Sequence, residues 1–243
     1  MTRNDSDSGT IGRRICLGTA TVGTAGAKRR DGAEIVGEHH FIRAAGDTEP
    51  SPIPDPQDPI VERRHGNPVD NGTKPTMLDG SHHVRWGEFR AVNGRVTMDS
   101  SGSGTDVSLK ATGLLPGVPY TAWIIVFEEP GFDFSNRTIM PFGAPGTAAE
   151  NVIGAGALGH LSGDSSIDDN NLDVRGGRGT LSVTQPAGDL TIFGSVPDDL
   201  SDVYEVHIVG DAHLDGQPHG AVPGPTGAHV EHFGAAFIGG DPL

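Results

Sequence analysis

Histidines near the C-terminus are the side chains most suited to chemistry in this sequence. Five of the 11 histidines fall in its last 37 residues. Imidazole is the commonest metal ligand in proteins and suits zinc and copper. His207, His213 and His219 lie on a predicted strand and the loop after it, so we predict them as metal ligands, with Asp211 as an oxygen ligand or orienting partner. The alternative is that these histidines are hydrated loop residues or form hydrogen bonds within the fold.

A second group of possible ligands is the acidic segment 164–173, with the sequence DSSIDDNNLD. Clustered carboxylate and amide oxygens suit calcium. The segment lacks the glycine and the closing glutamate of an EF-hand loop, and it joins two predicted strands. An acidic turn is therefore the competing interpretation.

Other catalytic and cofactor chemistry has little support in the sequence. There is no Gly-x-Ser-x-Gly elbow, so no nucleophile stands out. The single cysteine, Cys16, excludes an intramolecular disulfide and any metal site built on several thiolates. Segment 154–159 (GAGALG) is similar to a dinucleotide-binding loop, but no βαβ unit surrounds it. We therefore predict no catalytic residues, and a copper, zinc or calcium ion is the only cofactor that the sequence suggests.

The elements that must position these residues are β-strands. Thr105–Thr112 alternates apolar and polar residues, and Tyr120–Phe127 (YTAWIIVF) is apolar on both faces, as in a central strand. In 203–209 the pattern points Val206 and Ile208 inward and His207 outward. The remaining strands are predicted at 180–184, 190–196 and 203–209, with weaker candidates at 84–90, 94–98, 152–161 and 230–237.

Turn residues separate all these strands, and a tight hairpin is predicted at 187–189. No convincing amphipathic helix is present. The predicted fold is an all-β, antiparallel Greek-key β-sandwich of about eight or nine strands, preceded by a disordered N-terminal region.

The segment entering the central strand has a specific local pattern. Leu114, Pro116, Gly117 and Tyr120 resemble the corner of fibronectin-type-III-like sandwiches. The resemblance implies that the leucine fills the core and that the tyrosine hydroxyl bonds back to the backbone of the arch. It implies no function, because too many strands follow for that domain. The strand around His207 is also faintly similar to Cu/Zn superoxide dismutases, but it has one histidine where that family has two.

The N-terminal third has a different character. Arg13-Arg14 precede a weakly apolar Gly/Thr/Ala stretch and the small-x-small sequence Ala25-Gly26-Ala27, which together resemble a twin-arginine export signal. We predict a signal segment at 1–27, a proline-rich disordered linker at 28–79, and a β-sandwich domain at 80–243. Cys16 is not preceded by the residues that lipidation requires. No apolar run is long enough to cross a bilayer.

The charge composition suggests a solvent of high salt. The chain carries 32 acidic and 17 basic residues, a net charge of −15, with 22 aspartates against 3 lysines. This acid excess makes nucleic acid and anionic lipid poor partners. Abundant aspartate and scarce lysine resemble the composition of proteins from extremely halophilic archaea. Residues 80–238 resemble a family of exported, uncharacterised haloarchaeal proteins. Asn71 and Asn136 fit the N-glycosylation sequon.

These features predict an exported or cell-surface β-sandwich of a halophilic archaeon. It would act as a non-enzymatic binding or structural module with an extracellular or cell-surface partner. The alternative is a metal-binding protein or metal-dependent enzyme that uses the C-terminal histidines.

Salt should stabilise the domain. Residues 80–243 hold 20 acidic and 7 basic side chains, a balance of −13. Their repulsion extends over about 30 Å at 0.01 M salt and is screened at molar salt. Higher salt also strengthens the burial of apolar surface. We expect the melting temperature to rise steeply between 0.05 and 3 M KCl in thermal melts. A flat or falling curve would contradict the halophilic interpretation.

Overall fold

The computed structural model describes residues 22–24, 29–36, 56–57, 59, 74–89, 91–100, 104–127, 152–197, 200, 203, 205–225 and 228–238. These residues form twelve strands and one short helix, α1 (Trp86–Phe89). The strands are β1 (Val22–Thr24), β2 (Arg29–Val36), β3 (Asn93–Ser100), β4 (Thr105–Thr112), β5 (Tyr120–Phe127), β6 (Val152–Ala157), β7 (Asp173–Arg175), β8 (Arg178–Gln185), β9 (Gly188–Asp189), β10 (Phe193–Val196), β11 (Glu205–His213) and β12 (His229–Ile238).

The strands pair into two sheets. Sheet I has the order β1-β12-β11-β5-β6-β10-β9, and sheet II has the order β2-β3-β4-β8-β7. Every pairing is antiparallel except that of β1 with β12. The connection from β10 to β11 passes β6 and β5 and returns the chain beside β5, which is the Greek-key return. The predicted all-β Greek-key sandwich is confirmed.

The core lies between the two sheets. Val96 and Leu109 of sheet II share one hydrophobic cluster with Ile124 and Ile208 of sheet I. In β4 and β8 every second residue is buried, so sheet II has one apolar and one polar face. β5 is buried on both faces along nearly its whole length. Period two in the sequence therefore corresponds to one-sided burial, and the continuous apolar run corresponds to a central strand.

A bulge in β12 changes the direction of its side chains. Asp211 of β11 pairs with Glu231, but Gly210 pairs with Phe233, so His232 is the extra residue on β12. Gly210 is required there, because a Cβ at this position would lie 2.0 Å from the Phe233 ring. The bulge accommodates both His232 and Phe233, which are fully buried.

The corner before β5 contains a buried chain of hydrogen bonds. The Leu115 amide donates to the Tyr120 hydroxyl over 2.9 Å. The hydroxyl lies 2.6 Å from Nδ1 of His232, whose Nε2 lies 2.7 Å from the Phe89 carbonyl oxygen. A carbonyl only accepts, so Nε2–H donates to Phe89, and in a neutral ring Nδ1 accepts from Tyr120. Burial raises the pKa of Tyr120 above its ordinary value and keeps the hydroxyl protonated.

The other residues of this corner occupy the places that the resemblance implies. Leu114 is buried in the core, and Pro116 and Gly117 form an exposed turn with Gly117 at φ +71°. Glycine has no Cβ and therefore adopts that conformation at no steric cost.

Two predicted strands are different in the structure. In 84–90 the chain forms helix α1, and the Glu88 carboxylate accepts the Arg85 amide over 2.9 Å, as the third helical residue of a capping box does. In 190–196 only Phe193–Val196 is a strand. The Leu190 amide donates to the Gly194 carbonyl, and Asp189 pairs with Ser195. The hairpin turn is therefore at 190–192 instead of 187–189.

The predicted disordered N-terminal region contains strands where the structure describes it. β2 lies within 28–79 and pairs with β3, and β1 lies within 1–27 and pairs with β12. The Pro56 carbonyl also accepts the Gly87 amide over 2.9 Å. The free edge of a strand offers unpaired backbone groups, and a segment can pair with them without any apolar period of its own. Composition alone therefore missed these strands.

Replacing Tyr120 by phenylalanine tests the buried chain of hydrogen bonds. Tyr120→Phe leaves the Leu115 amide and His232 Nδ1 buried without this partner, so we expect a loss of about 1–3 kcal/mol of unfolding free energy. Urea unfolding in 2 M KCl measures it. Thr184→Val is the matched control, since it removes an exposed hydroxyl bonded to Asp106 and should cost well under 1 kcal/mol. Equal losses in both variants would contradict the importance of this network.

Candidate metal-binding site

Strand β11 directs alternate side chains to the outer face of sheet I, the face turned away from sheet II. His207 pairs with Ile125 of β5, and Asp211 pairs with Thr121. His207 is only 4% exposed, and its ring centroid lies 4.6 Å from that of Phe127. His207 therefore points outward as predicted, away from the core that holds Val206 and Ile208, but it is buried because this face of sheet I is also covered.

His213, Asp215 and His219 come together at the end of β11 and in the loop that follows it. One ligand atom from each lies within 4.8 Å of the other two. The His213 and His219 ring centroids are 5.6 Å apart, and His219 Nε2 lies 2.7 Å from an Asp215 carboxylate oxygen. The three residues also differ in burial, since His213 is buried, His219 is half-buried and Asp215 is exposed. Two imidazoles and a carboxylate are a common ligand set for zinc.

His213 is held from the strand side. Its Nε2 lies 2.7 Å from Thr121 Oγ1, which also accepts the Trp123 indole N–H over 2.9 Å. The ring has no exposed surface, and its Nδ1 is buried without a hydrogen-bond partner. A buried polar atom in this state is unusual in a native protein.

The electrostatics favour a neutral His213 ring. Burial, and then the neighbouring His229 and His219, lower the pKa of His213 to about 4, against a smaller opposing effect of Asp215. Burial tends to raise the pKa of Asp215, but hydrogen bonds from the Gln217 amide and the His219 ring hold that pKa below its ordinary value. At neutral pH the site therefore offers a neutral imidazole and a carboxylate, both in the form that binds metal.

The predicted ligand set is only partly brought together. His213 and His219 meet, but His207 lies six residues up β11, about 20 Å from His213 along the strand. Asp211 is on the same face as His213, about 7 Å away along the strand, and is not in the group of three. Asp215 is the ligand that sequence reasoning missed. Its position between the two histidines, four residues before His219, was the available signal.

The carboxylates of the acidic segment 164–173 accept hydrogen bonds from amides and serine hydroxyls within the segment and just before it. Asp168 is buried and accepts the Ser162 amide and hydroxyl over 2.6 and 2.9 Å. Asp164 accepts the Ser166 amide and hydroxyl in the same way. These contacts account for the segment as an acidic turn. The side chain of Asn170 is fully buried with neither polar atom hydrogen-bonded.

A serine, a histidine and a glutamate are in contact near α1. Ser81 Oγ lies 2.8 Å from His82 Nδ1, and His82 Nε2 lies 2.9 Å from the Glu88 carboxylate. Burial tends to raise the pKa of Glu88, but bonds from the Arg85 amide and His82 outweigh it and lower that pKa. The Ser81 amide already donates to Asp79, so it is not free to stabilise an oxyanion. This group connects a turn to α1, and sequence reasoning missed it.

A shallow groove of about 500 Å³ lies beside the corner before β5. Its lining has no ionisable side chain. The lining residues are Pro116, Gly117, Val118, Pro119, Leu172, Val174, Gly176 and Gly177. Acid–base chemistry by side chains is therefore not available there.

Comparison with family models, curated proteins and solved structures finds no match to this chain. In the part of the chain that the structure describes, no helix is long and apolar enough to span a membrane. Arg13, Arg14 and Cys16 and the sequon residues Asn71 and Asn136 lie outside the described residues. The predictions of export, halophily and glycosylation therefore stay predictions.

Proposed function

We propose that this chain is an exported β-sandwich of a halophilic archaeon that acts at or beyond the cell surface as a non-enzymatic binding or structural module. The observation that carries the proposal is where the acids lie. Of the ten aspartates whose side chains are described, eight are exposed. Surface carboxylates of this density keep a protein soluble and well hydrated in concentrated salt.

Contacts around the possible nucleophiles support a role without catalysis. Thr121 and His213 form a hydroxyl–imidazole pair, but Thr121 is 1% exposed and its oxygen already accepts from Trp123. Ser81 and His82 are exposed enough for a substrate, but they lie in a turn without an oxyanion site at the Ser81 amide. Nucleophilic catalysis needs both an accessible nucleophile and stabilisation of the developing charge.

The alternative function is metal binding, or a metal-dependent reaction, at His213, Asp215 and His219. The observation that favours it is that His213, one of a group of three possible ligands, has a buried Nδ1 without a hydrogen-bond partner. A metal-binding module need not be an enzyme, so this alternative is compatible with the proposed surface role.

Export is tested by a charge-conserving change in the signal segment. Arg13→Lys with Arg14→Lys keeps the positive charge but removes the arginine pair that resembles a twin-arginine signal. We expect the doubly substituted protein to accumulate inside the cell, while the wild type reaches the envelope or medium, as measured by immunoblots of cell fractions. Arg29→Lys with Arg30→Lys is the matched control and should not change export. Equal export of all three proteins would reject the twin-arginine route.

The absence of catalysis is tested at the exposed serine. The protein in 2 M KCl should hydrolyse p-nitrophenyl acetate no faster than the Ser81→Ala variant, because general imidazole reactivity does not need that hydroxyl. The control is Ser166→Ala, a serine in the acidic turn. Turnover that is lost in Ser81→Ala and kept in Ser166→Ala would make the chain a hydrolase and contradict the proposal.

A further inference from the structure

We propose that His213, Asp215 and His219 bind one divalent zinc ion, with His213 coordinating through Nδ1 and Thr121 as the residue that positions its ring. This inference is independent of the export proposal, because it uses only contacts among described residues. It replaces the predicted set that contained His207 and Asp211.

The His213 ring has one nitrogen available to a metal. Its Nε2 is engaged with Thr121, so Nδ1 is the nitrogen left for a ligand, and that atom is buried without a partner. A buried imidazole nitrogen without a partner costs free energy whether it carries a hydrogen or a lone pair. Metal coordination removes this cost in the tautomer in which Nε2–H donates to Thr121.

Thr121 sets the orientation of the His213 ring. Trp123 can only donate, so Thr121 Oγ1 accepts from it and keeps a second lone pair for His213 Nε2–H. A metal-bound histidine nearly always donates its other ring N–H to a fixed acceptor, which sets the tautomer and the ring orientation. Thr121 is 1% exposed and lies in the central strand β5, so this acceptor is held rigidly.

A small movement of the loop brings all three ligands to a single ion. Tetrahedral zinc places nitrogen and oxygen ligands about 3.3 Å apart, so the widest separation in the group, at most 4.8 Å, must shorten by up to about 1.5 Å. The 2.7 Å hydrogen bond between His219 Nε2 and Asp215 must open when both atoms bind the ion. Asp215 and His219 lie on the surface loop between β11 and β12 and can make this movement, while His213 stays fixed. Gly224 leaves the space for the His219 ring, since a Cβ there would lie 2.5 Å from His219 Cδ2.

The chemistry of the three ligands indicates the class of metal. Two imidazoles and one carboxylate suit zinc and other late divalent transition metals, whereas calcium and magnesium prefer ligand sets made only of oxygen. Three protein ligands leave one tetrahedral position for water or an anion. Because Asp215 is exposed, that position is accessible from solvent.

Isothermal titration of Zn²⁺ into untagged protein, stripped with EDTA and dialysed into 2 M KCl at pH 7.5, tests the site. We expect one zinc per chain and no binding of Ca²⁺ under the same conditions. Asp215→Asn and His219→Gln should each weaken zinc binding at least tenfold, because a lost ligand costs no less than a lost outer-shell contact. Thr121→Val should weaken it by about 10- to 100-fold without removing a ligand.

The control is His160→Gln, an exposed histidine outside the cluster, which should bind zinc like the wild type. Thermal melts without metal show that each variant is folded, and zinc should raise the melting temperature of the wild type more than that of Asp215→Asn or His219→Gln. Absence of one-to-one zinc binding, or wild-type affinity in folded Asp215→Asn and His219→Gln, overturns the site. Wild-type affinity in folded Thr121→Val overturns the role of Thr121.

Discussion

The hydrogen bonds through the Tyr120 hydroxyl and the His232 ring join four parts of the fold that are distant in sequence. They connect the arch at Leu115, the central strand β5, the bulged strand β12 and the carbonyl of Phe89 in α1. Every residue in this series of hydrogen bonds is buried, so water cannot replace a missing hydrogen-bond partner. The bulge in β12 is part of the same constraint, since it accommodates His232 beside Phe233 in the interior. The corner and the bulge therefore depend on each other.

Adjacent residues of β5 serve opposite faces of sheet I. Tyr120 faces the core and belongs to the buried series of hydrogen bonds, whereas Thr121 faces outward and contacts His213. The alternation follows from the pleat of a strand, in which successive side chains point to opposite sides. Strand β11 repeats this division, with Ala212 in the core and His213 on the outer face. Because β5 and β11 are anchored in the core, the position of the His213 ring on the outer face is fixed as well.

Strands and site residues could be predicted from the sequence where the local pattern of apolar residues matches their burial in the folded protein. The bounds of β4 and β5 follow from the sequence because alternation and continuous apolarity correspond directly to their burial. The face of His207 follows from its alternation with Val206 and Ile208, but its burial does not, because the cover over that face is a tertiary effect. β2 (RRDGAEIV) was missed because backbone pairing to β3 needs no apolar period. His213 and His219 were predicted together, and the position of Asp215 between them was a usable signal, but the path of the loop decides that Asp215 and not Asp211 joins the group.

The core contains many small side chains and few aromatic ones, which affects the balance of stability. Aromatic residues make up 5% of the chain, and valine, alanine and leucine fill most of the cluster between the sheets. Small side chains bury less apolar area per residue, while the backbone entropy lost on folding stays the same. The net stability of a domain is a small difference between these terms. Concentrated salt strengthens the burial of apolar surface and screens the repulsion between exposed carboxylates. It therefore offsets both the small apolar area of the core and the charge repulsion at the surface. Hydrogen bonds in the interior, such as those of Tyr120, are screened little by dissolved ions. They therefore determine which faces of the strands meet at every salt concentration.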